Sequence, residues 1–125
     1  MAVVGLGMDI CSVERIQRIL DSPRRQKFLE RVYTVAERQL CSNRYDTAAA
    51  YAARFAAKEA LLKALGAPPG IRWKDIEVVR ADGCPSLRLF GLARAELDRI
   101  KASAFLALTH DAGVAAATVV LEAGR

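Results

Sequence analysis

Residues Arg54 to Gly66 read Arg-Phe-Ala-Ala-Lys-Glu-Ala-Leu-Leu-Lys-Ala-Leu-Gly, a helical run that keeps charges beside the stripe it must bury. At ~100° per residue, Tyr51, Phe55, Leu62 and Leu65 form an apolar arc, with Lys58 inside it. Glu59 lies roughly 40° from Phe55 and about 60° from Leu62, at the margin of that arc. Charged groups on a core-facing stripe are expensive unless they are paired, hydrogen-bonded or bound to an ion. Any fold built on this helix therefore has to bring polar partners to it. Asp46 or Thr47 starts the helix, Gly66 ends it, and Pro68, Pro69 and Gly70 prevent its continuation.

Val3 to Ile10 reads as a strand in which Val4, Leu6, Met8 and Ile10 make one apolar face. The other face carries Val3, Gly5, Gly7 and Asp9, so the two positions before the aspartate have no side chains. Such glycines mark close approach by a ligand or another backbone, or else a bulge. Ser12 caps a helix running to about Leu20, with Val13, Ile16 and Ile19 or Leu20 as its buried stripe. Ser22-Pro23 breaks it, and short helices fit Arg24 to Val32 and Val35 to Asn43.

The second half changes period. Ile76 to Arg80 and Ser86 to Phe90 read as strands joined through Ala81-Asp82-Gly83-Cys84-Pro85, and Leu92 to Lys101 as a helix. Phe105 to Thr109 and Val114 to Leu121 form an apolar hairpin around His110-Asp111-Ala112-Gly113. One opening strand, then helices, then a late meander predict an α+β domain, a small antiparallel-rich sheet packed with a long central helix. At 125 residues the chain is most simply one domain, residues 1–125.

Apolar residues make up 53% of the chain, yet no stretch approaches the ~20 consecutive apolar residues of a membrane span. The start runs directly into Asp9 without a basic region, which argues against a cleaved secretory signal and for a cytoplasmic location. Cys11, Cys41 and Cys84 are too widely spaced for a metal or redox motif and read as reduced thiols. The net charge of +5 resides largely between Cys11 and Tyr45, where eight basic residues face four acidic ones. A basic surface of this kind either concentrates anionic partners or is a solvated helical face.

Asp9 and Glu59 are the acidic residues placed oddly for solvated charges. Together they could hold a hard divalent cation, since magnesium commonly takes one or two carboxylates plus water and substrate phosphates. The alternative makes Asp9 a helix cap and Glu59 the partner of Lys63, four residues later. Lys63, Lys58 and Arg54 add positive charge suited to phosphate oxygens. His110 ends an apolar strand and is either structural or a binding residue held by the sheet.

These residues resemble the holo-acyl-carrier-protein synthases, the short type of 4′-phosphopantetheinyl transferase. Two motifs carry the likeness: Gly5-Leu6-Gly7-Met8-Asp9-Ile10 followed by Arg15-Ile16, and Arg54-Phe55-Ala56-Ala57-Lys58-Glu59-Ala60 followed by Lys63-Ala64-Leu65-Gly66. Weaker agreement at Asp75-Ile76-Glu77, Gly83-Cys84-Pro85 and Leu108-Thr109-His110 extends it over essentially the whole chain. The resemblance implies transfer of phosphopantetheine from coenzyme A to a serine of an apo acyl carrier protein, serving fatty-acid or polyketide synthesis. By motif position Asp9 and Glu59 would hold magnesium, with Glu59 also the base for the incoming serine and Asp111 a second candidate. Lys63 would neutralise the departing phosphate, with Lys58 as a support. Arg54, Lys58, Lys63, Thr109 and His110 would contact coenzyme A, with Arg54 and His110 at its nucleotide end, including the 3′-phosphate.

The resemblance also assigns the basic segment, through Arg15, Arg18, Arg24, Arg25, Phe28 and Arg31, to the acidic carrier protein. It implies a homotrimer with sites between subunits. Cys84, where a basic residue is common, and Val114, where tyrosine is frequent, depart from the family pattern. A module that binds a carrier protein or nucleic acid without catalysis is the alternative, but the basic face lacks a nucleic-acid motif and has few interleaved aromatics.

Overall fold

A computed structural model describes residues 1–81 and 83–124. Its elements alternate as the period changes predict: β1 (Ala2–Ser12), α1 (Val13–Leu20), α2 (Arg25–Val32), α3 (Val35–Ser42), α4 (Thr47–Ala64), β2 (Ile76–Ala81), β3 (Cys84–Leu89), α5 (Gly91–Arg99), β4 (Ala102–Asp111) and β5 (Val114–Ala123). A single 3-10 turn, Trp73–Asp75, precedes β2. The expected α+β architecture is the observed one.

The main sheet is antiparallel, with β5 between β1 and β4. Register sets two faces. Gly7, Val119 and Leu106 align across the strands on the inner face, followed by Asp9, Ala117 and Leu108. On the outer face Leu6, Val120 and Phe105 align, then Met8, Thr118 and Ala107. β2 and β3 form a separate antiparallel hairpin. Asp82, part of the expected β2–β3 loop, lies outside the described residues.

α4 packs on the inner face and is buried almost all round, with Ala52, Ala56, Ala57, Ala60 and Leu61 at 0% exposure. The arc predicted from Tyr51, Phe55, Leu62 and Leu65 is therefore too narrow; α4 is a central helix whose alanines serve as its contact surface. The glycines of β1 follow from this. A Cβ on Gly7 would lie 1.9 Å from the Ala60 carbonyl oxygen, and one on Gly5 2.4 Å from that of Ala64. The space beside Asp9 is filled by the helix backbone rather than by a ligand, and a separate irregularity sits between Val3 and Gly5.

The late hairpin is tighter than expected. His110 and Asp111 remain in β4, opposite Ala115 and Val114, and only Ala112 and Gly113 turn, with φ of 54° and 78°. Two successive positive-φ residues match the right-handed twist of the flanking strands. His110 thereby keeps the inner-face parity of Leu106 and Leu108, on the side of α4.

Candidate active site

Close packing of β1 on α4 creates the first cluster. Ser12, with its Oγ accepting from the Arg15 N–H at 3.2 Å, caps α1, so Asp9 is free of that duty. The Lys63 ammonium crosses to the strand, donating to Asp9 Oδ1 at 2.9 Å and to the Met8 carbonyl at 3.1 Å. The helical pair between Glu59 and Lys63 does not form among the described residues. Burial and then the nearby Asp9 charge raise the Glu59 pKa, while Lys63 and Arg15 oppose the rise. Arg15 reaches this field over the Phe55 ring, 6.0 Å from its centroid. Asp9, Arg15, Glu59 and Lys63 thus share one electrostatic environment, half open to solvent. Asp111 does not contribute to it.

Lys58 faces the opposite way. Its ammonium, 0% exposed, donates to Glu37 Oε1 at 2.8 Å, to the Trp73 carbonyl at 3.0 Å and to the Ile76 carbonyl. All three protons are used. The expectation that Lys58 contacts coenzyme A is corrected accordingly: it is an internal tie, with no donor left for an outside ligand. Burial lowers its pKa against the pull of Glu37.

A second cluster is a pocket of about 410 Å³ where the start of α4 meets β2 and β4. Arg54, Thr109 and His110, three of the residues that the resemblance assigns to coenzyme A, line it together with Arg44, Asp46 and Arg80, which that assignment does not include. Arg44 is held bidentately by Asp46, at 2.7 and 3.0 Å. Arg54 is only 3% exposed; one Nη1 donates to the Ala50 carbonyl at 3.1 Å, and its buried Nε has no partner. A buried guanidinium with unused donors beside a polar pocket is suited to an anion. The Arg-x-Asp run before α4 was the only sequence signal for Arg44 and Asp46, and Arg80 had none.

The third feature is a groove of about 490 Å³ between α1 and α2, lined by Ile19, Arg24, Lys27, Phe28 and Arg31. Three of the six predicted partner residues converge there, and Lys27 joins them. Arg25 points to the other side of α2, where it donates to the Leu20 carbonyl at 3.2 Å. Arg18 pairs with Glu14 on the surface. Phe28 packs against Phe55 at 6.4 Å, which links the groove to α4 and to Arg15. Among the described residues no three His, Cys, Asp or Glu side chains gather as a ligand cluster. Cys11 and Cys41 are buried, their thiols pushed up by burial, that of Cys41 to about 11, whereas Cys84 is exposed.

Known proteins resemble this chain in sequence and in fold. The model of the 4′-phosphopantetheinyl transferase superfamily matches residues 5–119. A holo-[acyl-carrier-protein] synthase of Myxococcus xanthus is 66% identical over 122 residues, covering 98% of this chain and 97% of that protein. The crystal structure of the Helicobacter pylori holo-[acyl-carrier-protein] synthase in complex with coenzyme A superposes with a TM-score of 0.80 at 31% identity, covering 94% and 99% of the two chains. That of the Bacillus anthracis synthase, in complex with coenzyme A (3′,5′-ADP), gives 0.79 at 35% identity and 98% of each chain. With a paired strand and helix motif, a basic pocket and a match over nearly its whole length, this chain belongs to the 4′-phosphopantetheinyl transferase superfamily.

Proposed function

We propose that this chain is a holo-[acyl-carrier-protein] synthase, transferring 4′-phosphopantetheine from coenzyme A to a serine hydroxyl of apo acyl carrier protein. The observation that carries this reading is the joining of Asp9, Glu59 and Lys63 at the β1–α4 contact. The serine oxygen attacks the phosphorus that bears the pantetheine arm. The bond from that phosphorus to the adenosine 5′-phosphate oxygen breaks, and adenosine 3′,5′-bisphosphate leaves. Glu59, whose raised pKa makes it a better proton acceptor than an ordinary carboxylate, takes the serine proton directly or through water. Lys63 offsets the charge gathering on the departing phosphate.

Asp9 and Glu59 fit magnesium by donor chemistry: two hard carboxylates close enough for one to feel the other's charge. When bound, magnesium would neutralise the coenzyme A pyrophosphate. Arg54, Thr109 and His110 receive the nucleotide end in the basic pocket. The groove of Arg24, Lys27, Phe28 and Arg31, with Arg15 beyond it, receives the acidic carrier. The proposal includes a single domain, a homotrimer and a cytoplasmic setting in fatty-acid or polyketide synthesis. No helix of the described residues is long and apolar enough to cross a membrane.

Apo carrier protein incubated with coenzyme A, magnesium and this protein should gain the mass of one phosphopantetheine. Asp9→Asn should reduce that gain by about 10²-fold or more, without altering the fold. No mass gain across several apo carriers would defeat the catalytic reading in favour of a noncatalytic binding module.

A further inference from the structure

Glu37 is a carboxylate that the transfer steps above do not use, and it lies 2% exposed in α3. Its oxygens are fully engaged. Oε1 accepts from the Lys58 ammonium at 2.8 Å and from the Thr34 N–H at 2.9 Å, and Oε2 accepts from the Val78 N–H at 2.8 Å. Thr34 in turn donates its hydroxyl to Glu77 of β2. Lys58 completes the junction through the Trp73 and Ile76 carbonyls, so one buried ion pair joins α3, α4, β2 and the 3-10 turn before it.

Stability is a poor reason for such a pair, because desolvating two charges offsets most of their attraction and apolar residues of similar size often serve as well. Register is a better one. The buried surface of α4 consists largely of alanines, Ala52, Ala53, Ala56, Ala57, Ala60 and Ala64 among them, which are too short to form the ridges that lock a helix into its neighbours. Contact with β1 at Gly7 and Ala60 sets how near the helix lies, but it restrains rotation and sliding only weakly. Lys58 removes that freedom, since its three protons reach acceptors on three other elements together in one rotation alone. Glu59 is the next residue and Lys63 lies on the same helix, so whatever fixes Lys58 also fixes their approach to Asp9.

We infer that Glu37 is a positioning residue for the transfer reaction: through Lys58 it sets the rotation of α4, and with it the placement of Glu59 and Lys63 against Asp9. The inference rests on the synthase reading above and adds to it a residue that touches none of the reacting groups.

Three variants separate register from stability. Glu37→Gln keeps the shape but turns an amide N–H toward the Val78 N–H or the Lys58 ammonium. Glu37→Asp keeps the charge on a shorter arm, and Glu37→Gln combined with Lys58→Met removes both charges together. Glu37→Gln should melt below the parent, and the double variant should recover most of that loss, since neither charge of the pair is left behind. At a temperature where far-ultraviolet dichroism shows every variant native, kcat should nevertheless fall about 10- to 100-fold in all three, with KM for the carrier near parental. Glu37→Asp carries this comparison if the other two do not fold. Parental kcat in a folded variant, a kcat that recovers with the melting temperature in the double variant, or a parallel rise in carrier KM would overturn the role of Glu37. Trp73, the single tryptophan, reports the register without any substrate: its ring packs on Phe55 of α4 at 5.2 Å and its carbonyl accepts from Lys58. Its near-ultraviolet dichroism should change in each variant, and a parental spectrum would overturn the inference. A parent that modifies no carrier defeats the synthase reading, and the Trp73 band then still decides whether Glu37 sets the register.

Discussion

Lys58 and Glu59 are neighbours of opposite charge that never meet, because one helical step turns them about 100° apart. Lys58 is driven inward, where Glu37 and two carbonyls consume its protons. Glu59 remains at the margin, where burial and the Asp9 charge raise its pKa above the usual 4.5. An acid whose folded pKa exceeds its unfolded one favours folding when protonated. Its contribution is complete below the ordinary value and is lost as pH rises through the folded one. At neutral pH an ionised Glu59 therefore opposes folding, and glutamine removes that opposition. In EDTA-treated protein, Glu59→Gln should melt at least as high as the parent at pH 7, with the gap closing toward pH 4. Transfer should meanwhile fall about 10²- to 10⁴-fold. A variant that melts lower at both pH values would show that the carboxylate supports the fold instead.

At the scale of elements, the catalytic geometry depends on residues that have no chemistry. Gly7 lets β1 lie against the backbone of α4; a Cβ there would sit 1.9 Å from the Ala60 carbonyl oxygen and 2.7 Å from the Ala64 nitrogen. Those atoms belong to a buried helix and cannot swing aside. Gly7→Ala should therefore cost about 1–3 kcal/mol or more in urea unfolding and depress transfer with it. Unchanged stability would mean that the strand and helix are not in this contact. The helix limits, the Ser12 cap and the two hairpins were legible because each is written in local spacing and turn chemistry. What the glycines accommodate was not, since that depends on which distant element docks there. Lys58 was misassigned for the same reason: its partner Glu37 lies 21 residues away and identifies itself only once α3 packs on α4.

For the whole molecule, the informative surface is the outer face of the main sheet. Alternation in β1 makes Val4, Leu6, Met8 and Ile10 an apolar set, but in the folded chain this set points away from the core. Leu6 is 65% exposed, Met8 62%, Ile10 65% and Phe105 56%. Leu6 and Phe105 flank Val120 in one cross-strand row, so the apolar residues are contiguous rather than scattered. A contiguous patch of this kind marks an interaction surface, and each such side chain gains about 1.5–3 kcal/mol when fully buried. The groove proposed for the carrier lies elsewhere, between α1 and α2, and is basic; an acidic carrier has no electrostatic reason to choose the sheet. A second and third copy of this chain, as the proposed homotrimer requires, would cover it. Leu6→Glu places a charge at the centre of that face while leaving the inner packing untouched. Light scattering should then report a trimer for the parent and a monomer for the variant. The far-ultraviolet dichroism should be preserved, and transfer should fall at least tenfold because each site loses its neighbour. A parent that is monomeric throughout the micromolar range, or a monomeric variant with parental turnover, would place the complete site within one chain.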